Sequence, residues 1–401
     1  MISTTQATEL ILAHSSDWGT VSLPFEQCLG RILAEPILAD RDFPPFDRVT
    51  MDGIGIAFKA YEGGQRRFPI RGIQPAGAAA LQLPSADACL EVMTGAVMPS
   101  GVDSIIRYED LLIENHQAAV QIEQVQRGQN VHPKGSDRKQ GDTIVPAGSR
   151  IGASEIGLAA TVGNSTLQVR RLPRVAVIAT GDELVDVHAL PAPYQIRSSN
   201  GHQIAAQLQA WGLSTDKRFV GDSLAATVQC LRDSLEQSDA LILSGGVSKG
   251  KFDYVPEALA QVGVKQVFHQ VAQRPGKPFW FGVSPAGKPV FALPGNPVSA
   301  YMCTVRYVQP WLRKSLGEAP MTPVYAALSA PFSFQPALTY FLQVHTHFDP
   351  ANGCLMADPI SGKGSGDLAN LGQTNGFLEL PADQSNFEKG AVYPVWLFGG
   401  A

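Results

Sequence analysis

The fold class predicted is α/β plus β-rich modules: a three-layer αβα domain on a parallel sheet, joined to smaller β domains. Three features of the chain predict it. From about residue 167 to 318, continuous apolar runs such as "RVAVIAT", "DALILS" and "PVFALPG" alternate with amphipathic stretches such as "GHQIAAQLQAWG" and "SLAATVQCLRDSLEQS". Strands that are apolar on both faces, each followed by a helix, are what a parallel sheet covered on both sides requires. From Val21 to Gly163 the texture is instead short β-like runs ("ACLEVMTGAV", "DSIIRYEDLLI", "AAVQIEQV", "DTIVPAGSRI") between Gly and Pro turns,. After Pro320, "VYAALSAPFSF", "LTYFLQVHTHFD", "GFLELP" and "AVYPVWLF" predict a small all-β module. Ahead of all these, Ala7, Leu10, Ile11 and His14 recur at helical spacing and predict a short amphipathic helix over residues 4–14,.

Bulk composition narrows the function classes. A chain of 401 residues outgrows one core, and at about 100 to 200 residues per domain roughly two to four domains are expected. Lys plus Arg number 31 against 36 Asp plus Glu, a net charge of −5, so no global attraction to nucleic acid or to acidic membrane is expected and any anion must be held locally,. The five cysteines (Cys28, Cys89, Cys230, Cys303, Cys354) are scattered and contain no CxxC pair, which predicts buried thiols rather than a disulfide framework or a zinc site,. The eight histidines do not cluster; "HTH" at 345–347 puts two imidazoles on one face of a strand, a weak metal signal,. No apolar run approaches the ~18 to 20 residues of a membrane span. The opening "MISTTQATELILAHSSDWG" lacks a basic region followed by an apolar core, so a cytoplasmic location is expected,. GxSxG, HExxH and P-loop motifs are absent, which leaves hydrolysis by an activated serine unsupported,.

The chemistry is expected where three parallel strands end. In an open parallel sheet, ligands bind outside the carboxyl ends of the strands. "VAVIATGDE" supplies Thr180, Gly181 and Glu183; "ALILSGGVSKG" supplies Ser244, Gly245, Gly246 and Ser248; "VFALPGNPVSA" supplies Pro294, Gly295 and Asn296 ahead of a helix start. Glycine backbone without a Cβ can wrap a phosphate, and a helix N-terminus adds positive potential. In "QRPGKPFWFG", Arg274 and Lys277 flank a Pro-Gly turn stiffened by Pro275 and Pro278, a candidate anion clamp,. Carboxylates beside such a clamp point to a hard cation such as Mg²⁺. The candidates are Glu183, Asp222 in "VGDSL", Asp253 after the glycine loop, and Asp52 in "TMDG" from the other module. Asp222 has a competing reading as the N-cap of the helix beginning near Ser223, and Asp52 as a structural turn residue.

At this point the motifs "FPPFDRVTMDG", "MTGAVMPSGVDSIIRYED", "GSDRKQGD", "PRVAVIATGDEL", "IRSSNGHQIAAQLQAWG", "SGGVSKGKFDYV", "RPGKPFWFG" and "FALPGNPVSA" stand in the order and spacing of the molybdopterin molybdenumtransferase family, which the chain resembles over nearly its whole length. The resemblance implies an elongated homodimer of four-domain subunits. Residues 1–20 and 167–318 would form the molybdopterin-nucleotide-binding α/β domain, 21–38 and 140–166 a β-rich linking domain, 39–139 a β-rich domain carrying the MDG motif, and 319–401 a small, barrel-like C-terminal β domain. It further implies that adenylylated molybdopterin and molybdate are the substrates, that Mg²⁺ is the cofactor, and that pyrophosphate cleavage releases AMP; the molybdopterin adenylyltransferase is a further expected partner. Carried over residue by residue, Asp52, Glu183, Asp222, Asp253 and Lys277 take catalytic positions, with Asp222, Asp253 and Glu183 toward the metal. Thr94, Asp137, Arg274, Pro278, Ser299 and Ser365 match substrate-binding positions, the last two associated with molybdate. Four departures stand out: Ile54 for an aromatic, Ser199 for Asp in "SSN", Lys251 for an acidic residue, and Gln343 for Arg. They motivate a second expectation, a paralogue that binds the pterin nucleotide as a scaffold without turnover.

Overall fold

The structure, a computed structural model, describes residues 1–247, 253–335, 337–360 and 366–399. The sequence-predicted positions Ser248, Lys251 and Ser365 lie outside the described residues.

The α/β domain is built on a six-stranded sheet in the order Thr215–Val220, Val175–Thr180, Ala240–Ser244, Pro289–Leu293, Trp280–Val283, Lys265–His269. The first four strands are parallel. The fifth, Trp280–Val283, runs antiparallel to both its neighbours, so the sixth again points the way of the first four and the sheet carries one reversed strand, which corrects the expectation of a parallel sheet throughout. The reason is local: "SPAGK" between Val283 and Pro289 closes with the Ser284 N–H donating to the Lys288 carbonyl at 2.9 Å, and so short a connection joins only antiparallel strands,.

The continuous apolar strands follow from burial on both sheet faces. Val175, Val177, Ala240 and Ile242 face one layer, with Ile204 and Leu208 of the helix Asn200–Ala210 and Trp311 and Leu312 of the helix Gln309–Ser315. Ala176, Ile178, Leu241 and Leu243 face the other, against Val228 and Leu231 of Leu224–Gln237 and Ala258 and Leu259 of Val255–Gln261. Period-two alternation sends neighbouring side chains to opposite faces, so both sets must be apolar. The N-terminal helix, Thr4–Ala13, opens on a Ser3–Gln6 capping box and buries Ala7 and Ile11 in the first layer; Leu10 turns outward,.

Two further cores precede this domain. One unites Leu33, Ile37, Val145, Ile151 and Val169, with Thr20–Pro24 paired antiparallel to Thr166–Arg170. It contains a helix, Ala153–Thr161, in a stretch expected to be β; Glu155 reaches back to the Gly152 N–H at 2.8 Å and starts it. The other is a six-stranded sheet whose inner strand, Gly53–Ile56, carries Asp52 at its entrance and buries Ile54 completely.

After the α/β domain, Thr339–Phe348, Leu355–Pro359, Val324–Leu328, Val392–Leu397 and Gly376–Leu380 pair in turn and close back on Thr339–Phe348 as a five-stranded barrel. Gln273–Arg274 of the basic loop adds to Thr339–Tyr340, so that loop hangs on the barrel strand Thr339–Phe348. All five cysteines are free; Cys28, Cys89 and Cys303 are buried, whereas Cys354 is exposed and Cys230 intermediate, against the expectation that all would be buried. Burial pushes the Cys89 thiol up to about 12. Among the described residues no helix is long and apolar enough to cross a membrane.

Candidate active site

Because the strands ending at Thr180, Ser244 and Leu293 are parallel neighbours, their carboxyl ends open on one side, and there lies a cleft of about 580 Å³. The three expected loops meet in it: Thr180, Gly181 and Glu183, then Ser244, Gly245 and Gly246, then Pro294, Gly295 and Asn296. Asp222, Asp253 and Pro278 join them, and Gly366 brings in the C-terminal module.

The glycines are required by contact. Gly245 has φ +100°, and a Cβ there would lie 2.5 Å from the Thr180 carbonyl oxygen; Gly246 has φ +68°, with 2.7 Å to Val255 Cγ2. The turn therefore presses backbone directly onto the neighbouring strand end, a placement open only to residues without side chains. Thr180 Oγ1 is enclosed beneath this turn and has no hydrogen-bond partner among the described residues.

Asp222 is free of the capping duty that competed for it. Ser223 is the N-cap of Leu224–Gln237, its hydroxyl accepting from the Ala226 N–H at 3.5 Å. Asp222 instead exchanges bonds with the first loop: its N–H donates to Asp182 Oδ1 at 2.8 Å, and its Oδ2 accepts from the Asp182 N–H at 3.3 Å. A Cβ on Gly221 would meet Asp182 Oδ1 at 2.7 Å, so that clasp too is built around a glycine.

Asn200 lines the cleft and was missed in the sequence, where "SSN" stands out only for Ser199. Its Nδ2 donates to Ser244 Oγ at 2.8 Å and to the Gly295 carbonyl at 2.7 Å, tying the second and third loops together at the N-terminus of Asn200–Ala210. Ser199 precedes that helix with no side-chain bond to its backbone among the described residues, its hydroxyl donating instead to Asn200 Oδ1 at 3.5 Å. Asn200→Ala is expected to lower activity about tenfold while costing about 1–3 kcal/mol, checked by steady-state kinetics beside thermal melts. Wild-type kinetics would remove Asn200 from the site.

The basic loop reaches the cleft through Pro278. Arg274 and Lys277 are exposed and do not line it. Arg274 lies 5.7 Å from the Phe334 ring centroid. The loop's stiffness comes from more than its prolines: Gln273, fully buried, donates to the Gly276 carbonyl at 3.0 Å and accepts from the Tyr307 hydroxyl. Ser299 is also outside the lining, 3% exposed within the helix Pro297–Cys303.

Asp52, Thr94 and Asp137 occupy the separate N-terminal sheet module. The Thr94 N–H (2.6 Å) and hydroxyl (2.8 Å) both donate to Asp52 Oδ1, and these bonds hold the carboxyl below its ordinary range. Four residues back along the same segment, Arg48 and His132 lead to Asp137.

The donor set suits Mg²⁺ in one respect only. Glu183, Asp222 and Asp253 line the same cleft, yet among the described residues no three His, Cys, Asp or Glu side chains gather into a ready metal site. Mg²⁺ commonly keeps several waters and takes one or two carboxylates plus substrate phosphates, so a preassembled cage is not demanded.

Comparison with known proteins agrees with this layout. The MoeA N-terminal region (domain I and II) matches residues 2–163, a probable molybdopterin binding domain matches 176–314, and the MoeA C-terminal region (domain IV) matches 325–398. A molybdopterin molybdenumtransferase of Synechocystis sp. is 38% identical over 399 residues, covering 99% of this chain and 100% of that protein. One from Staphylococcus epidermidis is 30% identical, covering 99% and 95%. The crystal structure of a molybdopterin biosynthesis MoeA protein from Pyrococcus horikosii superposes with a TM-score of 0.85 at 29% identity over 100% of both chains. With its fold, its strand-end cleft and full-length likeness in accord, the chain belongs to the molybdopterin molybdenumtransferase family of molybdenum-cofactor biosynthesis.

Proposed function

We propose that the chain inserts molybdate into adenylylated molybdopterin and releases AMP, with the pyrophosphate seated in the strand-end cleft. The observation that carries this reading is the glycine turn at Gly245 and Gly246, packed on Thr180 where three parallel strands end. Backbone N–H groups of such a turn, with the N-terminus of Asn200–Ala210 beside it, suit a phosphate pair. Arg274 and Lys277 supply cations at the approach. Asp222, Asp253 and Glu183 would hold Mg²⁺, which when bound would neutralise charge on the pyrophosphate oxygens. Cleavage adds water across the P–O–P bridge, leaving one phosphate on AMP and the other on the pterin, while the two dithiolene thiols bond to molybdenum and one molybdate oxygen leaves with their protons as water.

Asp52, Thr94 and Asp137 lie in another module, and a homodimer in which that module faces the partner's cleft would bring them to the same substrate. A cytoplasmic location and a hand-over from the molybdopterin adenylyltransferase complete this reading. The test is AMP release from adenylylated molybdopterin by the purified protein. Release that depends on molybdate and is lost with EDTA is expected; binding of the pterin nucleotide without release would assign the scaffold role suggested by Ser199 and Gln343. Neither binding nor release would overturn both.

A further inference from the structure

We propose that His132 is a positioning residue for Asp137, its ring proton fixed on Nε2 jointly by the Arg48 donor at Nδ1 and the Asp137 carboxylate at Nε2; this rests on the reading of Asp137 as a substrate-binding residue. Arg48 and His132 face each other directly across the antiparallel pair Arg48–Val49 and Val131–His132. Arg48 Nη2 lies 3.0 Å from His132 Nδ1, and His132 Nε2 lies 2.8 Å from Asp137 Oδ1.

A guanidinium has donors only, so Nδ1 must accept. The ring proton then sits on Nε2 and is donated to Asp137. The backbone of Asp137 is pinned as well, its N–H donating to the Phe43 carbonyl at 2.9 Å, and the Gly135 N–H to that of Pro44 at 2.9 Å. Ser136 Oγ adds a longer bond to the same Oδ1 at 3.4 Å. Asp137 is thus an exposed carboxylate whose Oδ1 is committed to His132 and Ser136. Without His132 the side chain would be free to turn about χ1 and χ2. An imidazole donor, unlike a directly paired arginine, leaves the carboxylate as a strong acceptor for N–H or O–H donors of a bound ligand. The design parallels Asp52, held by Thr94 at the other end of the same segment.

The experiment uses the full chain. ¹⁵N NMR of the imidazoles is expected to show His132 protonated at Nε2 with Nδ1 accepting a hydrogen bond, and Arg48→Met to remove the hydrogen-bond shift at Nδ1 while the proton stays on Nε2. In the molybdate-dependent AMP-release assay, His132→Ala is expected to raise KM for adenylylated molybdopterin about tenfold with kcat nearly unchanged, the loss of one charge-assisted bond. His132→Gln, which keeps a terminal N–H donor, should recover most of it, and His132→Ala added to Asp137→Asn should do no further harm. A proton on Nδ1, or a normal KM in His132→Ala while Asp137→Asn is impaired, would overturn the positioning role and leave Asp137's role standing. Unimpaired Asp137→Asn would overturn both.

Discussion

Gly245→Ala is expected to cut turnover about 100-fold, the size of effect that a displacement near 1 Å at reacting groups produces. The new Cβ would lie 2.5 Å from the Thr180 carbonyl oxygen and 2.9 Å from its hydroxyl, both on the rigid end of a neighbouring strand. Strand and turn cannot both stay. The turn is the softer of the two, so it moves outward into the space assigned to the pyrophosphate and stretches the bond from the Gly245 N–H to the Leu293 carbonyl, now 3.2 Å. At φ +100° alanine also carries backbone strain, about 1–3 kcal/mol. Gly287→Ala is the control: its φ is +78°, but a Cβ there meets nothing within 4 Å, so it should melt slightly earlier and keep its activity. Calorimetric titration of the pterin nucleotide with both variants separates the two effects. Wild-type affinity and turnover in Gly245→Ala would place the reaction elsewhere.

The largest stability effect is expected from breaking the pair that locks the barrel to the α/β domain. Arg306 Nε bonds Glu379 Oε2 at 3.0 Å and Nη2 bonds Oε1 at 3.3 Å, with side chains only 9% and 15% exposed. Trp396 Nε1 donates to the same Oε2 at 2.7 Å, and the guanidinium lies 4.3 Å from the Trp396 ring centroid. Arg306 Nη1 also donates to Thr8 Oγ1 at 2.9 Å, so the N-terminal helix shares the lock. Arg306→Met leaves Glu379 buried without its counter-charge and should destabilise by about 3–5 kcal/mol. Arg306→Met with Glu379→Leu should cost less than Arg306→Met alone, because no lone charge remains. Scanning calorimetry reads both, and equal melting of Arg306→Met and wild type would show the pair to be idle.

Much of the candidate site was legible in the chain because it is local. Each of "ATGDE", "LSGGV" and "LPGNP" follows an apolar strand, and parallel strands share the side on which their carboxyl ends lie. Convergence of Thr180, Gly245 and Asn296 therefore follows from three local patterns and one topological rule. What lay outside that reach were encounters between residues distant in sequence. Nothing local marked Asn200, and only folding set its amide between Ser244 and Gly295. Asp222 could not be separated from a cap until Ser223 was seen to hold Ala226. The basic loop reads as a clamp, yet Pro278 rather than Arg274 or Lys277 faces the cleft, since the Gln273–Tyr307 contact sets how the turn lies.

By itself the sequence determined the α/β class, the β-rich flanks, the buried strands and the loops that carry chemistry, because periodicity and turn residues act within a few positions of themselves. Tertiary structure alone decided the closing of the barrel and the Arg306–Glu379 lock. Each of these depends on which distant surfaces are brought together to exclude water, and hydrophobic attraction has no direction that a linear pattern could record.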